Sequence, residues 1–167
     1  MKKIIFILIL IISSVIIFID TSVHSSRHEN NSIINKKINT KIKYIRNFLA
    51  ENKIKIDKEY LILLYNGFDC PSCIVKALKV IKKYTSQNRN VIIISSASNI
   101  HSEFEQANLD IDNIFVINDV HDSIRRVLAY PKTPLLFIIN KDIITNVVTI
   151  SYNDNYTIDM YIDSLVN

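Results

Sequence analysis

The only two cysteines of this 167-residue chain stand three positions apart, in the sequence Cys70-Pro71-Ser72-Cys73. Two thiols at this spacing can close a small disulfide ring, and such a pair suits reversible disulfide exchange. In that exchange one thiolate attacks a partner's disulfide, and the second thiol then displaces the partner from the mixed disulfide. The spacing therefore predicts redox chemistry, with Cys70 as the nucleophile and Cys73 as the resolving thiol.

Other uses of this cysteine pair stay open at this point. A zinc site normally needs four ligands with a second pair at matching spacing. The chain has no further cysteine, and its four histidines are scattered. Haem attachment needs a histidine directly after Cys73, where Ile74 stands. A structural disulfide, metal binding by fewer ligands and a redox-inactive site remain as alternatives.

The pair lies between a predicted strand and a predicted helix. Leu61 to Asn66 is short and mostly apolar, and Gly67, the only glycine, interrupts it. Apolar residues then recur at helical spacing, at Ile74, Ala77, Leu78 and Ile81. Because proline is favoured at the first helical position, the helix is expected to run from an N-cap at Cys70 to about Ser86. An N-cap thiol faces the positive end of the helix dipole, which stabilises its thiolate.

The rest of the chain predicts strands alternating with helices. The expected helices are 36–51, 100–107, 119–129 and a last one carrying Ile158, Tyr161, Ile162 and Leu165, and the expected strands are 91–96, 113–117, 135–140 and 146–152. The last two strands are joined by a polar turn at Lys141-Asp142. This order predicts an α/β sandwich with a mixed central sheet.

Residues 1–19 are expected to form an uncleaved membrane anchor. Two lysines precede Ile4 to Ile19, which is apolar apart from Ser13 and Ser14 and spans about 24 Å as a helix at ~1.5 Å per residue. No Ala-x-Ala-like cleavage site follows. The positive-inside rule places the N-terminus in the cytoplasm and the remainder outside it. A cleaved signal peptide releasing a soluble protein is the alternative.

Composition divides the remainder into three expected segments: a polar linker (20–35), a basic helical lead-in (36–57) and the domain of the thiol pair (58–167). The net charge of +4 is concentrated in the lead-in, whereas 59–167 carries more acidic than basic side chains. A strongly basic domain face is the footprint of nucleic-acid binding. Since that footprint is missing, no nucleic-acid partner is expected.

A second constellation, Tyr130-Pro131-Lys132-Thr133-Pro134, directly precedes the predicted strand 135–140. Together with the upstream Cys-Pro-Ser-Cys and the order of elements, it resembles the thioredoxin-like superfamily over about residues 58–166. Within that superfamily the chain looks most like the membrane-anchored extracytoplasmic thiol–disulfide oxidoreductases of the TlpA-like group. The resemblance implies a three-layer thioredoxin-like sandwich, an N-terminal transmembrane helix and a helix-containing insertion after the second core strand.

The same resemblance implies roles for individual residues. Cys70 is then the exposed nucleophile and Cys73 the resolving thiol. Pro134 is a cis-proline facing the pair, and Thr133 offers backbone hydrogen bonds to a substrate strand. Phe68 supplies the aromatic surface that a tryptophan before the first cysteine often provides in the family.

Two departures from the family pattern bear on the chemistry. Asp69 stands where that tryptophan is common, and a carboxylate beside the thiol is expected to raise its pKa. The predicted strand before the pair lacks the buried acid of many relatives, so Asp69 and Glu59 are the candidates for proton transfer. The direction of exchange is therefore open, with a reducing role, for example in cytochrome c maturation, favoured.

The sequence thus predicts a membrane-anchored, extracytoplasmic thiol–disulfide oxidoreductase that requires no organic cofactor and no metal. Its expected partners are a protein substrate with a disulfide or dithiol, a redox protein that resets the pair, and the membrane. The alternative is a redox-inactive or copper-binding thioredoxin-like module. Cys70, Cys73 and His121 would form a three-ligand copper site if the fold brought the histidine near the sulfurs.

Overall fold

Strands and helices alternate along the chain in the computed structural model, which describes residues 33, 36–98, 100–109, 114–151 and 161. In chain order the elements are α1 (Ile42–Glu51), β1 (Glu59–Tyr65), α2 (Pro71–Thr85), β2 (Asn90–Ser95), α3 (Ile100–Ala107), β3 (Ile114–Asn118), α4 (Ser123–Val127), β4 (Leu135–Asn140) and β5 (Ile143–Thr149). The predicted anchor lies outside the described residues, as do the linker apart from Ile33 and the last predicted helix apart from Tyr161. Within the described ranges, no helix is both long and apolar enough to cross a membrane.

The sheet is mixed, as the element order predicts, with its strands arranged β3-β2-β1-β4-β5. Strands β1, β2 and β3 are parallel, whereas β4 is antiparallel to β1 and to β5. Leu64 pairs with Ile94 of β2 and with Leu135 of β4. The carboxyl ends of the three parallel strands and the start of β4 therefore meet at one end of the sheet, which we call the thiol end.

The sheet separates two helical layers, because strand β1 is buried on both faces. Helices α2 and α3 contact each other, and residues of both share one buried cluster with Leu61, Leu63 and Tyr65 of β1. Ile62 and Leu64 are equally buried and point to the other face, since side chains alternate along a strand. Helices α1 and α4 contact each other and contribute their own buried side chains outside that cluster. Burial on both faces explains the continuous apolar run of β1.

The basic lead-in, 36–57, packs as part of the same compact unit, which extends from Asn35 to Asn167. Its Ile45 and Leu49 are fully buried. The side-chain amide of Asn39 donates to the carbonyl of Ile144 and accepts from the N–H of the same residue, both at 2.9 Å. These two bonds attach the lead-in to the backbone of strand β5. The lead-in and the domain of the thiol pair therefore belong to one unit of packing.

The predicted helix 119–129 is mostly not helical, because the backbone at its start makes a different hydrogen bond and adopts a left-handed turn. The carboxylate of Asp119 accepts from the N–H of Ile124 at 2.9 Å, and Asp122 has a left-handed φ of 51°. Local bonds of this kind compete with a helix. Only Ser123–Val127 is assigned as α4, and Val120 is exposed rather than packed.

The hairpin turn at Lys141-Asp142 is confirmed, but the strand after it begins at once, at Ile143 instead of 146. Lys141 has a φ of 53°, which suits a tight two-residue hairpin loop. The pairing between β4 and β5 shifts between Leu136 and Ile138, and Asn146 has a φ of 51° at that irregularity. A bulge displaces the alternating pattern that the sequence reading relies on.

Candidate active site at the cysteine pair

Helix α2 begins as the sequence predicts, with Cys70 at the N-cap and proline as its first residue. The backbone N–H of Cys73 donates to Sγ of Cys70 at 3.4 Å, and the helix ends with a C-cap at Ser86. Both cysteines are free thiols, and Cys70 is exposed whereas Cys73 is buried. The pair therefore presents one sulfur to solvent and keeps the other within the core.

The two thiols differ in acidity because their surroundings differ. A hydrogen bond from Cys73 and one with the hydroxyl of Ser72, 3.0 Å away, lower the pKa of the Cys70 thiol. Burial, helped by the neighbouring Cys70 sulfur, raises the pKa of Cys73 to about 11. Since the thiolate is the attacking species, Cys70 is the better nucleophile and Cys73 stays protonated until it must act.

The carboxylate of Asp69 is hydrogen-bonded to Asn66 and Thr133 rather than to either sulfur, and its expected part in proton transfer stays a prediction. Its Oδ2 accepts from the N–H of Asn66 at 2.9 Å, while its Oδ1 accepts from the side-chain amide of Asn66 at 3.0 Å and from the hydroxyl of Thr133 at 2.6 Å. Hydrogen bonds with Cys73 and Ser72 lower the pKa of Cys70, and the Asp69 carboxylate is not among the groups that shift it.

Glu59 lies at the other end of β1 from the cysteine pair. Six residue steps at ~3.3 Å each put it about 20 Å from the end of the strand. Its carboxylate accepts from the hydroxyl of Tyr84 at 2.9 Å and lies 3.8 Å from Arg89. Glu59 therefore lies away from the pair, because β1 is extended and the cysteines follow its far end, and its role in proton transfer stays a prediction.

Thr133 and Pro134 lie at the thiol end, where the chain enters β4. The peptide bond between them is cis, as the resemblance implies. Pro134 is buried, and its carbonyl accepts from the N–H of Ile150 at 2.8 Å. The hydroxyl of Thr133 accepts from the side-chain amide of Asn66 at 3.1 Å and donates to Asp69. The structure thus joins this loop to the segment that leads into the cysteine pair.

Phe68 is fully exposed in the turn before Cys70. Its backbone N–H donates to Oδ1 of Asn66 at 2.6 Å, which holds the turn while leaving the ring free of the core. Val120 and Tyr130 are also largely exposed, in the segments that follow β3 and precede β4. The thiol end therefore carries apolar surface beside an exposed thiol.

Two polar features of this region are not foreseen from the sequence. The buried hydroxyl of Tyr65 donates to Glu103 of α3 at 2.5 Å, and burial together with this bond raises the pKa of Tyr65. The partners are 38 residues apart, so no local spacing signals them. The second feature is Asn66, whose side chain bonds Asp69 and Thr133. Its position, as a polar residue between an apolar strand and the only glycine, is the sequence signal that would have singled it out.

The three-ligand copper site left open by the sequence is not assembled. Among the described residues, no three His, Cys, Asp or Glu side chains are grouped so that they could hold a metal ion. His121 lies in the exposed turn after β3, where its carbonyl accepts from Arg126 at 2.8 Å. Within the described ranges, the cysteine pair therefore has no third side chain of these types grouped with it.

Comparison with known proteins identifies the fold. No protein-family model matches the chain, and no curated protein matches its sequence. The structure is similar to that of a secreted Mycobacterium tuberculosis disulfide oxidoreductase homologous to E. coli DsbE, with a TM-score of 0.52 and 16% identity over 66% of this chain and 81% of that one. The fold is thioredoxin-like. The expected thioredoxin-like sandwich is thereby confirmed, with a mixed sheet of five strands.

Two further solved structures match with lower TM-scores. DsbF of MTB, in its mixed oxidized and reduced forms, gives a TM-score of 0.46 and 11% identity over 66% of this chain and 82% of that one. The thioredoxin domain of a thiol-disulfide oxidoreductase from Bacteroides vulgatus gives 0.41 and 12% over 64% and 81%.

Proposed function

We propose that this chain is a thiol–disulfide oxidoreductase that exchanges disulfides with protein partners through Cys70 and Cys73. The observation that carries the proposal is the asymmetry of the pair. The exposed Cys70 thiol has a lowered pKa at a helix N-cap, and the buried Cys73 thiol has a pKa of about 11. Exchange needs one accessible thiolate and a second thiol held close behind it.

In the reducing direction the Cys70 thiolate attacks one sulfur of a partner disulfide. A bond forms between Cys70 and that sulfur, the partner's own disulfide bond breaks, and the other partner sulfur leaves as a thiolate that takes a proton. Cys73 then loses its proton and attacks Sγ of Cys70, which releases the second partner thiol. Two electrons pass to the partner, and the pair ends as a disulfide that a second redox protein must reduce.

The partner would bind across the thiol end of the sheet. Phe68 is fully exposed two residues before Cys70 and offers apolar contact to a chain whose disulfide meets this sulfur. Thr133 precedes the cis-proline in the neighbouring loop and offers its backbone to an extended segment of the partner. Phe68, Thr133 and Pro134 are therefore the proposed substrate contacts.

The proposed location is outside the cytoplasm, with the N-terminal segment as membrane anchor. The apolar run from Ile4 to Ile19 behind two lysines supports this topology. The resemblance to the TlpA-like group supports a reducing role, for example in cytochrome c maturation. A membrane-impermeant maleimide tests the topology, because it should label Cys70 of the full chain in intact cells, and labelling only after lysis would contradict it.

The activity is tested by equilibrating the full chain in a series of glutathione redox buffers. We expect reversible oxidation of the pair with a single midpoint. In cells, Cys73→Ser should trap a partner as a mixed disulfide that dithiothreitol releases, and Cys70→Ser should trap none. Absence of exchange at every redox poise, together with no trapped partner, would overturn the proposal.

A further inference from the structure

The geometry points to a positioning role for Asp69 that nothing in its sequence position suggests. We propose that Asn66, Asp69 and Thr133 form a polar clasp, which holds the nucleophile's loop and the cis-proline loop at the separation that a protein partner must span. The inference rests on the proposed exchange activity and adds the device that selects protein disulfides over small ones.

The clasp is a closed set of hydrogen bonds among three side chains. The amide of Asn66 donates to Asp69 at 3.0 Å and to the Thr133 hydroxyl at 3.1 Å, while that hydroxyl donates to Asp69 at 2.6 Å. The backbone N–H of Asn66 also donates to the same carboxylate, at 2.9 Å. Each side chain therefore bonds both of the others.

These bonds connect segments that are remote in sequence. Thr133 lies 64 residues after Asp69 and 67 residues after Asn66, and it directly precedes the cis-proline. Asp69 directly precedes Cys70. The clasp thus joins the residue before the nucleophile to the residue before the cis-proline.

The burial of the three residues suits this role. Asn66 is 5% exposed, and Asp69 and Thr133 are half-buried. Hydrogen bonds to an ionised carboxylate are stronger than those between neutral groups, and partial burial shields them from water. A small shift of either loop would cost these bonds, so the two loops move together.

The expected consequence depends on the size of the substrate. A protein partner must place its sulfur at Cys70 while its backbone meets the loop at Thr133, so it benefits from loops already held at the right separation. A small disulfide needs only the Cys70 sulfur. Losing the clasp should therefore slow exchange with a protein much more than exchange with a small molecule.

The test measures reduction of insulin and of hydroxyethyl disulfide by the full chain, with dithiothreitol as the electron donor. Thr133→Val removes the hydroxyl and keeps the shape of the side chain, and Asp69→Ala removes the carboxylate. We expect kcat/KM for insulin to fall about fivefold to tenfold in each variant, mainly through KM, and about twofold for hydroxyethyl disulfide, as the loss of one or two hydrogen bonds suggests.

A conservative variant and a double variant distinguish loss of the clasp from a general loss of structure. Thr133→Ser keeps the hydroxyl and should retain insulin reduction within about twofold. The double variant Asp69→Ala/Thr133→Val should lose about as much as either single variant, because both remove the same unit, whereas independent effects would multiply. Thermal unfolding of every variant shows whether the fold is intact, and if Asp69→Ala fails to fold, the Val and Ser variants of Thr133 decide the question alone.

Three results would overturn the clasp. Equal losses with insulin and hydroxyethyl disulfide would mean general damage to the nucleophile. Equal losses in the Val and Ser variants of Thr133 would mean that the hydroxyl is not used. An effect of Asp69→Ala on both substrates with none from Thr133→Val would mean that the carboxylate acts on the thiol by its charge. If instead the wild-type chain and Cys70→Ser are equally inactive with both substrates, the proposed activity itself fails.

Discussion

A carboxylate lies near each end of strand β1, Asp69 just beyond its carboxyl end and Glu59 at its start, and the two have different surroundings. At the thiol end, Asp69 accepts from uncharged groups of Asn66 and Thr133 that belong to two loops. At the opposite end, Glu59 accepts from the phenol of Tyr84 and lies near Arg89, with the side chains of Arg89 and Glu59 37% and 41% exposed.

At the opposite end of the sheet, the lead-in is attached to the rest of the domain. There the lead-in bonds the β4–β5 hairpin through Asn39 and Ile144 and through an ion pair between Arg46 and Asp142. The thiol end instead collects an exposed thiol, exposed apolar surface and a cis-proline loop. Residues of the same chemical type therefore serve stability at one end and, by our proposal, partner binding at the other.

The largest difference between the two ends is expected when the nucleophile at the thiol end is removed. Cys70→Ser should lower the rate of insulin reduction more than about a hundredfold, because no other described thiol is exposed. The matched variant Cys73→Ser should still form a mixed disulfide and then stop. Formation of a mixed disulfide by Cys70→Ser as readily as by Cys73→Ser would show that the cysteines do not have separate roles.

The next effect is a difference in how the two thiols respond to pH. Because the pKa of Cys70 is lowered, its thiolate should appear below the ordinary pH range of a cysteine, and its alkylation by iodoacetamide should level off there. Cys73, with its pKa raised to about 11, should react more than about tenfold more slowly at pH 8, which peptide mass spectrometry can measure.

Ser72→Ala is the control for this pH profile. Removing the hydroxyl takes away one hydrogen bond to the Cys70 sulfur, so the pKa of Cys70 should rise and its alkylation profile should move to higher pH. An unchanged profile would mean that Ser72 does not stabilise the thiolate.

A smaller effect is expected at the opposite end, on stability alone. Asn39→Ala removes both hydrogen bonds to Ile144, so the free energy of unfolding should fall by about 1–3 kcal/mol. Urea unfolding measures this change, and the alkylation profile of Cys70 should stay the same. A shifted profile would show that the two ends are coupled.

The smallest effect should come from Glu59→Gln. The ion pair with Arg89 is exposed, so its loss should lower the free energy of unfolding by about 0–1 kcal/mol. Insulin reduction should remain within about twofold of wild type, since Glu59 lies far from the cysteines. A large loss of activity here would support a part for Glu59 in proton transfer and would remove the contrast between the two carboxylates.

Much of the fold was predictable because local spacing carries it. The N-cap at Cys70, the end of α2 near Ser86 and the strands on either side follow from periodicity and from a proline at the first helical position. The helix expected over 119–129 was wrong over most of its length, because the carboxylate of Asp119 bonds the backbone locally and Asp122 has a left-handed φ. The strand at Ile143 was misplaced because a bulge interrupts its alternation.

By itself, the sequence determined the nucleophile's helix, the alternation of strands with helices and the position of the loop before β4, since each depends on residues within a few positions of one another. The tertiary structure alone decided that Asp69 meets Thr133, that Glu59 lies away from the thiols and that Tyr65 meets Glu103. Those contacts depend on strand register and on how distant loops pack. No short sequence spacing encodes these contacts, because they arise only when the whole sheet is formed.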